Sequence, residues 1–308
     1  MKIYSFLPSA TEIVYSLGLG DQLCGVTHEC DYPPEARKKP VVVQSLIDTS
    51  KLNQKEIDER VVESMNHGHG LYRINREILE RNKPDLVITQ ELCDVCSVSL
   101  KDVLKTVHEL SKECKVISLT PKGLEGVLED IITVGRACGV EEEAMRKVDT
   151  FRQRIAEVQQ RARNLKKPRV FCMEWFDPVF ASGHWVPEMV NICGGTDQLG
   201  RAGQDSRRIR WEDVVSYNPD ILILMPCGFN LERTIEDLPL LQKLKGWDTL
   251  DAAKNGRVYA TDSSSYYSRS GPRLIDGLEM MAKIIHPEVF GRDLPAGACT
   301  LPNEPVLV

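Results

Sequence analysis

Cys93-Asp-Val-Cys96 has the spacing of a redox pair or of half a tetrahedral zinc site, two thiols on one short turn. A zinc site of that kind calls for a second C-x2-C, and none of the other eight cysteines supplies one. His28, Cys30, His67 and His69 fall in the same half of the chain, so Cys93, Cys96, Cys30 and His28 are the metal set that can be assembled. Ordinary buried or ligand-facing thiols are the simpler reading, and no metal is expected. Glu174 and Asp177, three apart beside Trp175 and Phe176, have the residue types of an acid and base whose carboxyl pKa an apolar neighbourhood would raise. No nucleophile elbow, phosphate loop or zincin helix accompanies them, so binding is simpler than catalysis. Gly18-Leu-Gly20 and Gly194-Gly195 end helical patterns instead of opening them, which removes the dinucleotide reading. His184, just before a helical segment, can cap it or meet ligand, and no role is assigned to it.

Such groups work only if the scaffold brings them to one surface. Apolar runs at residues 3–7, 23–27, 86–89 and 116–119, and again at 169–173, 221–225 and 258–261, alternate with amphipathic segments, among them 188–193 and 211–217. That alternation predicts βαβ units and mainly parallel sheets. In open parallel sheets ligands collect beyond the carboxyl ends of the strands. There the chain places Pro8-Ser9, His28-Glu29-Cys30, Gln90-Glu91-Leu92-Cys93, Glu174-Trp175-Phe176, Pro226-Cys227-Gly228-Phe229 and, after Asp262, Tyr266-Tyr267. Aromatic, polar and glycine residues thus share one kind of edge, suited to a sizeable ligand stacked on rings and oriented by a few polar groups. Ser9, with Glu12 three residues on, is also expected to form a capping box at the first helix.

Residues 141–167 run without glycine or proline, with Ala144, Val148, Phe151, Ile155, Val158 and Ala162 forming one apolar stripe on a charged rod. Gly139 and Pro168 punctuate it, and a helix of that length divides the chain near its middle. Two echoes link the halves. TEIVYSLGLGDQL at 11–23 aligns without a gap on PEMVNICGGTDQL at 187–199, and Lys83-Pro-Asp-Leu-Val-Ile aligns on Asn218-Pro-Asp-Ile-Leu-Ile. They fall in the same order, as two copies of one αβ plan require. The fold class expected is therefore α/β: two lobes, each with a mainly parallel sheet flanked by helices, bridged by one long helix, with a ligand cleft between them. The divisions are 1–140, 141–167 and 168–290, followed by a C-terminal extension at 291–308 whose three prolines and lack of periodicity read as surface or disorder.

A net charge of −6 and a pI near 5.7 argue against a nucleic-acid surface. No stretch reads as a membrane span, signal peptide or lipobox. Ten irregularly spaced cysteines in a chain of 308 residues, too large to need staples, suit a reducing compartment, and the expectation is a cytoplasmic protein unless a leader is missing.

Taken together, Leu7-Pro-Ser-Ala-Thr-Glu-Ile-Val, Val26-Thr-His-Glu-Cys-Asp-Tyr-Pro, Leu71-Tyr-Arg, Thr89-Gln-Glu-Leu-Cys-Asp-Val-Cys, Glu174-Trp, Gly183-His-Trp-Val-Pro-Glu-Met, Trp211-Glu-Asp, Met225-Pro-Cys-Gly-Phe and Ser268-Arg-Ser-Gly-Pro-Arg resemble the class III periplasmic-type binding proteins for cobalamin, haem and iron–siderophores, in particular the cobalamin-binding branch. The resemblance covers residues 1 to about 286. It implies a two-lobed, helix-bridged binding protein and no catalysis, no required cofactor, and cobalamin or a related corrinoid as ligand. It also implies an ABC permease as partner if the protein is exported. The ligand-binding residues expected are Ser9, His28, Glu29, Gln90, Cys93, Glu174, Trp175, Trp185, Gly228, Tyr266, Tyr267 and Arg269. The alternatives are an enzyme acting on a large cofactor-like substrate, or a binder of haem, an iron chelate or a metal.

Overall fold

The computed structural model describes residues 1–67, 70–90 and 100–301, and the chain divides into two compact units. The first comprises Met1–Pro121 and Glu125–Asp149, the second Lys122–Leu124 and Thr150–Val308.

The first unit holds a six-stranded sheet built from β1 (Ile3–Ser5), β2 (Leu23–Thr27), β3 (Val41–Ser45), β4 (Tyr72–Ile74), β5 (Leu86–Gln90) and β6 (Lys115–Leu119), in the order β4-β3-β2-β1-β5-β6. All neighbours are parallel except β3 and β4. β1 and β5 are buried along their whole length, as central parallel strands covered on both faces must be. Tyr4, Phe6, Val42, Leu79, Val87 and Val103 pack one core cluster there.

The second sheet comprises β7 (Val170–Phe176), β8 (Val179–Ala181), β9 (Arg207–Arg208), β10 (Ile221–Leu224), β11 (Val258–Thr261) and β12 (Ala298–Thr300), in the order β12-β11-β10-β7-β8-β9. Its centre, β7-β10-β11, is parallel, and the outer strands are antiparallel. β12 is a correction to the expected extension. Residues 298–300 pair with β11 and Leu301 is buried at 6% exposure, because three residues suffice to close a sheet edge and are too few to show a period.

The echoes in the sequence become matching hydrogen bonds. The helix Pro8–Ser16 ends with Leu17 N–H donating to Ile13 O, Gly18 to Tyr15 O and Leu19 to Val14 O. The helix Val186–Ile192 ends with Cys193 N–H donating to Met189 O, Gly194 to Asn191 O and Gly195 to Val190 O, residue for residue the aligned positions. Gly18 and Gly194 take φ of +73° and +78°, the left-handed conformation that terminates a helix. The second echo behaves likewise. Lys2 N–H donates to Asp85 Oδ2 at 2.7 Å and Arg169 N–H to Asp220 Oδ2 at 2.8 Å, so each aspartate fixes the start of the strand beside its own.

The first helix starts at Pro8, not after Ser9. Leu7 is its N-cap and no side chain caps it. Proline's fixed φ suits the first helical position and draws Ser9 inside, where it is 3% exposed, so the expected capping box does not form. The long helix spans Glu141–Ala162, about 33 Å at 1.5 Å per residue, with its first nine residues in the first unit and the rest in the second. Ala144, Val148, Phe151, Val158 and Ala162 are its buried stripe. The expected run to 167 stops five residues early: Leu165 N–H closes a tight turn on Ala162 O, and Pro168 biases the residue before it towards extended backbone. Arg154 ties the helix to its own unit through Glu279 (2.8 Å) and Asp276 (2.7 Å). No helix among the described residues is long and apolar enough to cross a membrane.

Candidate functional site

In the first unit, β2 ends at Thr27 and the chain turns sharply, with Cys30 N–H donating to Thr27 O. The turn folds the Cys30 thiol inward, 3.0 Å from Thr11 Oγ1 and 3.3 Å from the Thr27 N–H that donates to it. At 4% exposure it does not stand beside His28 as a metal ligand, which removes that pairing from the expected metal set. His28 remains at the surface. Its backbone N–H donates to Val43 O at 3.0 Å, its Nδ1 lies 3.3 Å from the same oxygen, and Glu29 Oε1 is 3.8 Å from Nε2. The ring is tilted against Tyr72 at 6.2 Å, beside a recess of about 10 Å³ bounded also by Phe6 and Pro8. Ser9 and Gln90 are both buried behind this edge, at 3% and 8% exposure. They back the site and do not front it. Cys93, Cys96 and His69 lie outside the described residues. Among the described residues no group of three or more His, Cys, Asp or Glu could hold a metal ion.

In the second unit, Trp175 sits near the carboxyl end of β7, half-buried, with its ring edge-on to Phe229 at 5.3 Å and 64°. Phe229 is carried there by the turn after β10. Cys227 N–H donates to Glu174 O, Phe229 N–H to Pro226 O, and Gly228 takes the φ of +77° that closes the turn. The loop after β11 locks onto it: Gly228 N–H donates to Ser268 Oγ at 3.0 Å, Ser268 meets Ser263 at 2.8 Å, and Ser264 N–H donates to Phe229 O. Asp262 caps the short helix Ser263–Tyr266 through Ser265 N–H at 2.9 Å, which leaves Tyr266 half-buried on the same edge. Guanidinium groups flank the rings. Arg233 lies 5.3 Å from the Phe229 centroid and Arg273 5.9 Å from that of Tyr266, while Arg269 donates to Ser264 Oγ at 3.0 Å. Trp175 and Phe229 thus form an aromatic pair with Arg233 beside it, while the Tyr266 ring lies against Gly297 with Arg273 as its own cationic neighbour. Phe229 and Arg233 were not among the expected ligand residues, although Phe229 directly follows Gly228, which was.

Three expectations at this edge need correction. Trp185 and Tyr267 are core residues, 4% and 2% exposed; Trp185 Nε1 donates to Tyr267 O at 2.8 Å and the Tyr267 hydroxyl to Gly277 O at 3.0 Å. A ring whose polar atom is already satisfied inside the unit has no reason to turn outward. Glu174 does not share the face of Trp175, because successive strand residues point to opposite sides. Its carboxylate accepts from Gly183 N–H at 3.3 Å and from the Ser206 hydroxyl, bracing the loop between residues 199 and 208. That loop packs so closely on Gly183 that a Cβ there would lie 2.4 Å from Gln204 O. Burial pushes the Glu174 pKa up to about 7, opposed by those two hydrogen bonds and supported by the charge of Asp197. Asp177 is exposed in the turn after β7, so the carboxylates serve different surroundings. His184, at φ +51°, lies 3.4 Å from Asp205 Oδ1, and the N-cap of the following helix is Trp185 instead. A separate groove of about 470 Å³, beside exposed Gln159, Arg163 and Lys167, sits where the chain enters β7, at the opposite end of that strand from these aromatic rings.

The chain matches the family model described as periplasmic binding protein over residues 4–265. It is 29% identical over 302 residues to the ABC transporter substrate-binding lipoprotein YvrC of Bacillus subtilis (strain 168), covering 94% of this chain and 81% of that one. It is 25% identical over 290 residues to the vitamin B12-binding protein of Vibrio cholerae serotype O1, covering 91% and 87%. Among solved structures, the periplasmic vitamin B12 binding protein BtuF of Vibrio cholerae matches with a TM-score of 0.67 at 21% identity, over 95% of this chain and 98% of that one. A periplasmic haem binding protein from Pseudomonas aeruginosa gives 0.70 at 18% identity, over 94% and 93%. These relatives are periplasmic or lipoprotein binding proteins, which overturns the expected cytoplasmic location. Cysteine content misled because Cys30, Cys172 and Cys193 are buried as small apolar side chains, inert in either compartment.

Proposed function

Because the chain belongs to the periplasmic binding protein family, as a substrate-binding protein of the ABC-transporter type, we propose that the small molecule it delivers to its permease is a corrinoid of the cobalamin kind. The observation that carries this reading is the Trp175–Phe229 ring pair at the carboxyl edge of the second sheet, with Tyr266 half-buried after β11. A flat, weakly polar macrocycle has large faces that such rings bury well, and its amide side chains accept from guanidinium groups such as Arg269 and Arg273. The B12-binding relatives, which align over nine-tenths of the chain, favour cobalamin over other macrocycles. Glu174 is occupied by the Gly183 N–H and the Ser206 hydroxyl, which keeps it out of acid–base chemistry beside the rings, and on this reading the ligand is held unchanged.

Calorimetric titration of Trp175→Ala with cobalamin, beside wild type, tests the assignment. Truncating a stacking anchor of this kind costs about 1–3 kcal/mol, roughly a tenfold to hundredfold loss of affinity, with the circular dichroism spectrum unchanged. Equal affinity in the folded variant would remove Trp175 from the site.

A further inference from the structure

We infer that the groove of about 470 Å³ where the chain enters β7 is a second binding site, for a small anion that also carries hydroxyl groups: a phosphorylated polyol of the glycerol phosphate kind. It lies wholly within the second unit, at the other end of β7 from the Trp175–Phe229 pair, and does not depend on the corrinoid reading.

The lining is cationic in an acidic protein. Arg163 and Lys167 border the groove together with three side-chain amides, Gln159, Gln160 and Asn191, and no carboxylate lines it, although the chain as a whole carries a net charge of −6. The neighbouring arginines are paired: Arg154 with Glu279 and Asp276, Arg161 with Glu157 and Val289 O, Arg169 with Asp220 and Asp251. Arg163 and Lys167 have no such partner among the described residues. A place just past the end of the helix Glu141–Ala162 favours cations by itself. It does not call for two of them beside three amides around a hollow of small-molecule size.

The floor adds a further polar group. Ala162 and Gly194 line it, and a Cβ on Gly194 would lie 3.2 Å from His286 Nε2, so it is the missing side chain at Gly194 that leaves this nitrogen next to the groove. The His286 side chain is 5% exposed and its Nδ1 lies 3.1 Å from Glu288 Oε1. A carboxylate oxygen can only accept, so the neutral ring keeps its proton on Nδ1, and the Nε2 lone pair is buried with no hydrogen-bond donor among the described residues. A buried acceptor of this kind costs free energy until a donor reaches it. A hydroxyl is such a donor, which a simple carboxylate is not. The phosphate then falls to the cations: the guanidinium of Arg163 has the fork for two parallel N–H···O bonds, and Lys167 adds a point charge. The three amides, each both donor and acceptor, suit the remaining hydroxyls.

The test titrates glycerol 3-phosphate and methyl phosphate in a calorimeter into wild type, into the double variant Arg163→Ala with Lys167→Ala, and into Lys243→Ala with Lys254→Ala, which removes the same charge from exposed positions outside the groove. Wild type should bind glycerol 3-phosphate more tightly than methyl phosphate, which brings the phosphate without a hydroxyl on its carbon. The groove variant should lose at least about tenfold in affinity and the control variant nothing measurable, with the response to cobalamin the same in all three. Cosedimentation with vesicles of equal parts phosphatidylcholine and phosphatidylglycerol identifies the source. Capture of wild type and not of the groove variant makes a lipid headgroup the ligand, and glycerol 3-phosphate binding without capture makes it the free molecule. Binding of neither, or equal losses in the two double variants, would overturn the site. Equal affinity of wild type for the two phosphates would overturn the hydroxyl contact at His286.

Discussion

Glu174 is a carboxyl group placed where its charge is costly. Its pKa is raised from 4.5 to about 7, so between those values the folded protein holds a proton that the unfolded chain has released. The folded state therefore binds more protons in that window, and stability falls as pH rises through it, by up to about 3 kcal/mol in all at about 1.4 kcal/mol per unit. Thermal unfolding followed between about pH 5 and 7 should show this decline, and Glu174→Gln, which keeps the shape and loses the ionisation, should show a shallower one. The slope should not vanish, because burial also pushes the Asp130 carboxyl up to about 7. Parallel slopes in variant and wild type would contradict the brace assigned to Glu174. The sequence placed Trp175, Tyr266, Trp185 and Tyr267 together because strand ends set the edge on which a residue lies. Which side of the chain a ring leaves from was not legible. That depends on partners 82 and 10 residues away, Tyr267 O for Trp185 and Gly277 O for the Tyr267 hydroxyl.

At the scale of elements, the paired helix ends offer an internal control. Gly18 and Gly194 occupy equivalent positions with similar positive φ, yet a Cβ on Gly18 would meet nothing within 4 Å, whereas one on Gly194 would lie 3.1 Å from Ala162 O and 3.2 Å from His286 Nε2. Gly18→Ala should therefore cost about the backbone term alone, roughly 1 kcal/mol, and Gly194→Ala distinctly more. Chemical denaturation of the two variants measures the difference; equal losses would mean that the long helix gives way at Ala162 without penalty. The same elements show how far sequence reading reaches. β2 and β11 were readable to the residue because each is an apolar run closed by polar residues. β4, β8, β9 and β12 were not: they are two or three residues long and exist because a neighbour offers unpaired backbone groups, a tertiary cause with no local period.

Across the whole molecule, the two-sheet plan was legible because the echo repeats helix, capping glycine and strand in one order, and the location was not, because compartment leaves no mark on a core that needs no disulfides. The buried thiols make that account testable. Burial pushes Cys172 and Cys193 well above the usual thiol range, while Cys227 is exposed at the turn after β10. A thiol reagent on the native protein, with peptides mapped by mass spectrometry, should label Cys227 early and Cys172 and Cys193 only on unfolding. Early labelling of Cys172 would show a second unit far looser than its packing implies. The central claim, a binding protein that holds a corrinoid and leaves it unaltered, is tested most directly by titrating the ligand-free wild-type protein with cobalamin, cobinamide and haemin in a calorimeter and recovering the ligand for mass analysis. Saturable binding of a corrinoid, recovered at its original mass, is the result predicted; binding of none of the three, or steady accumulation of a product, would contradict it.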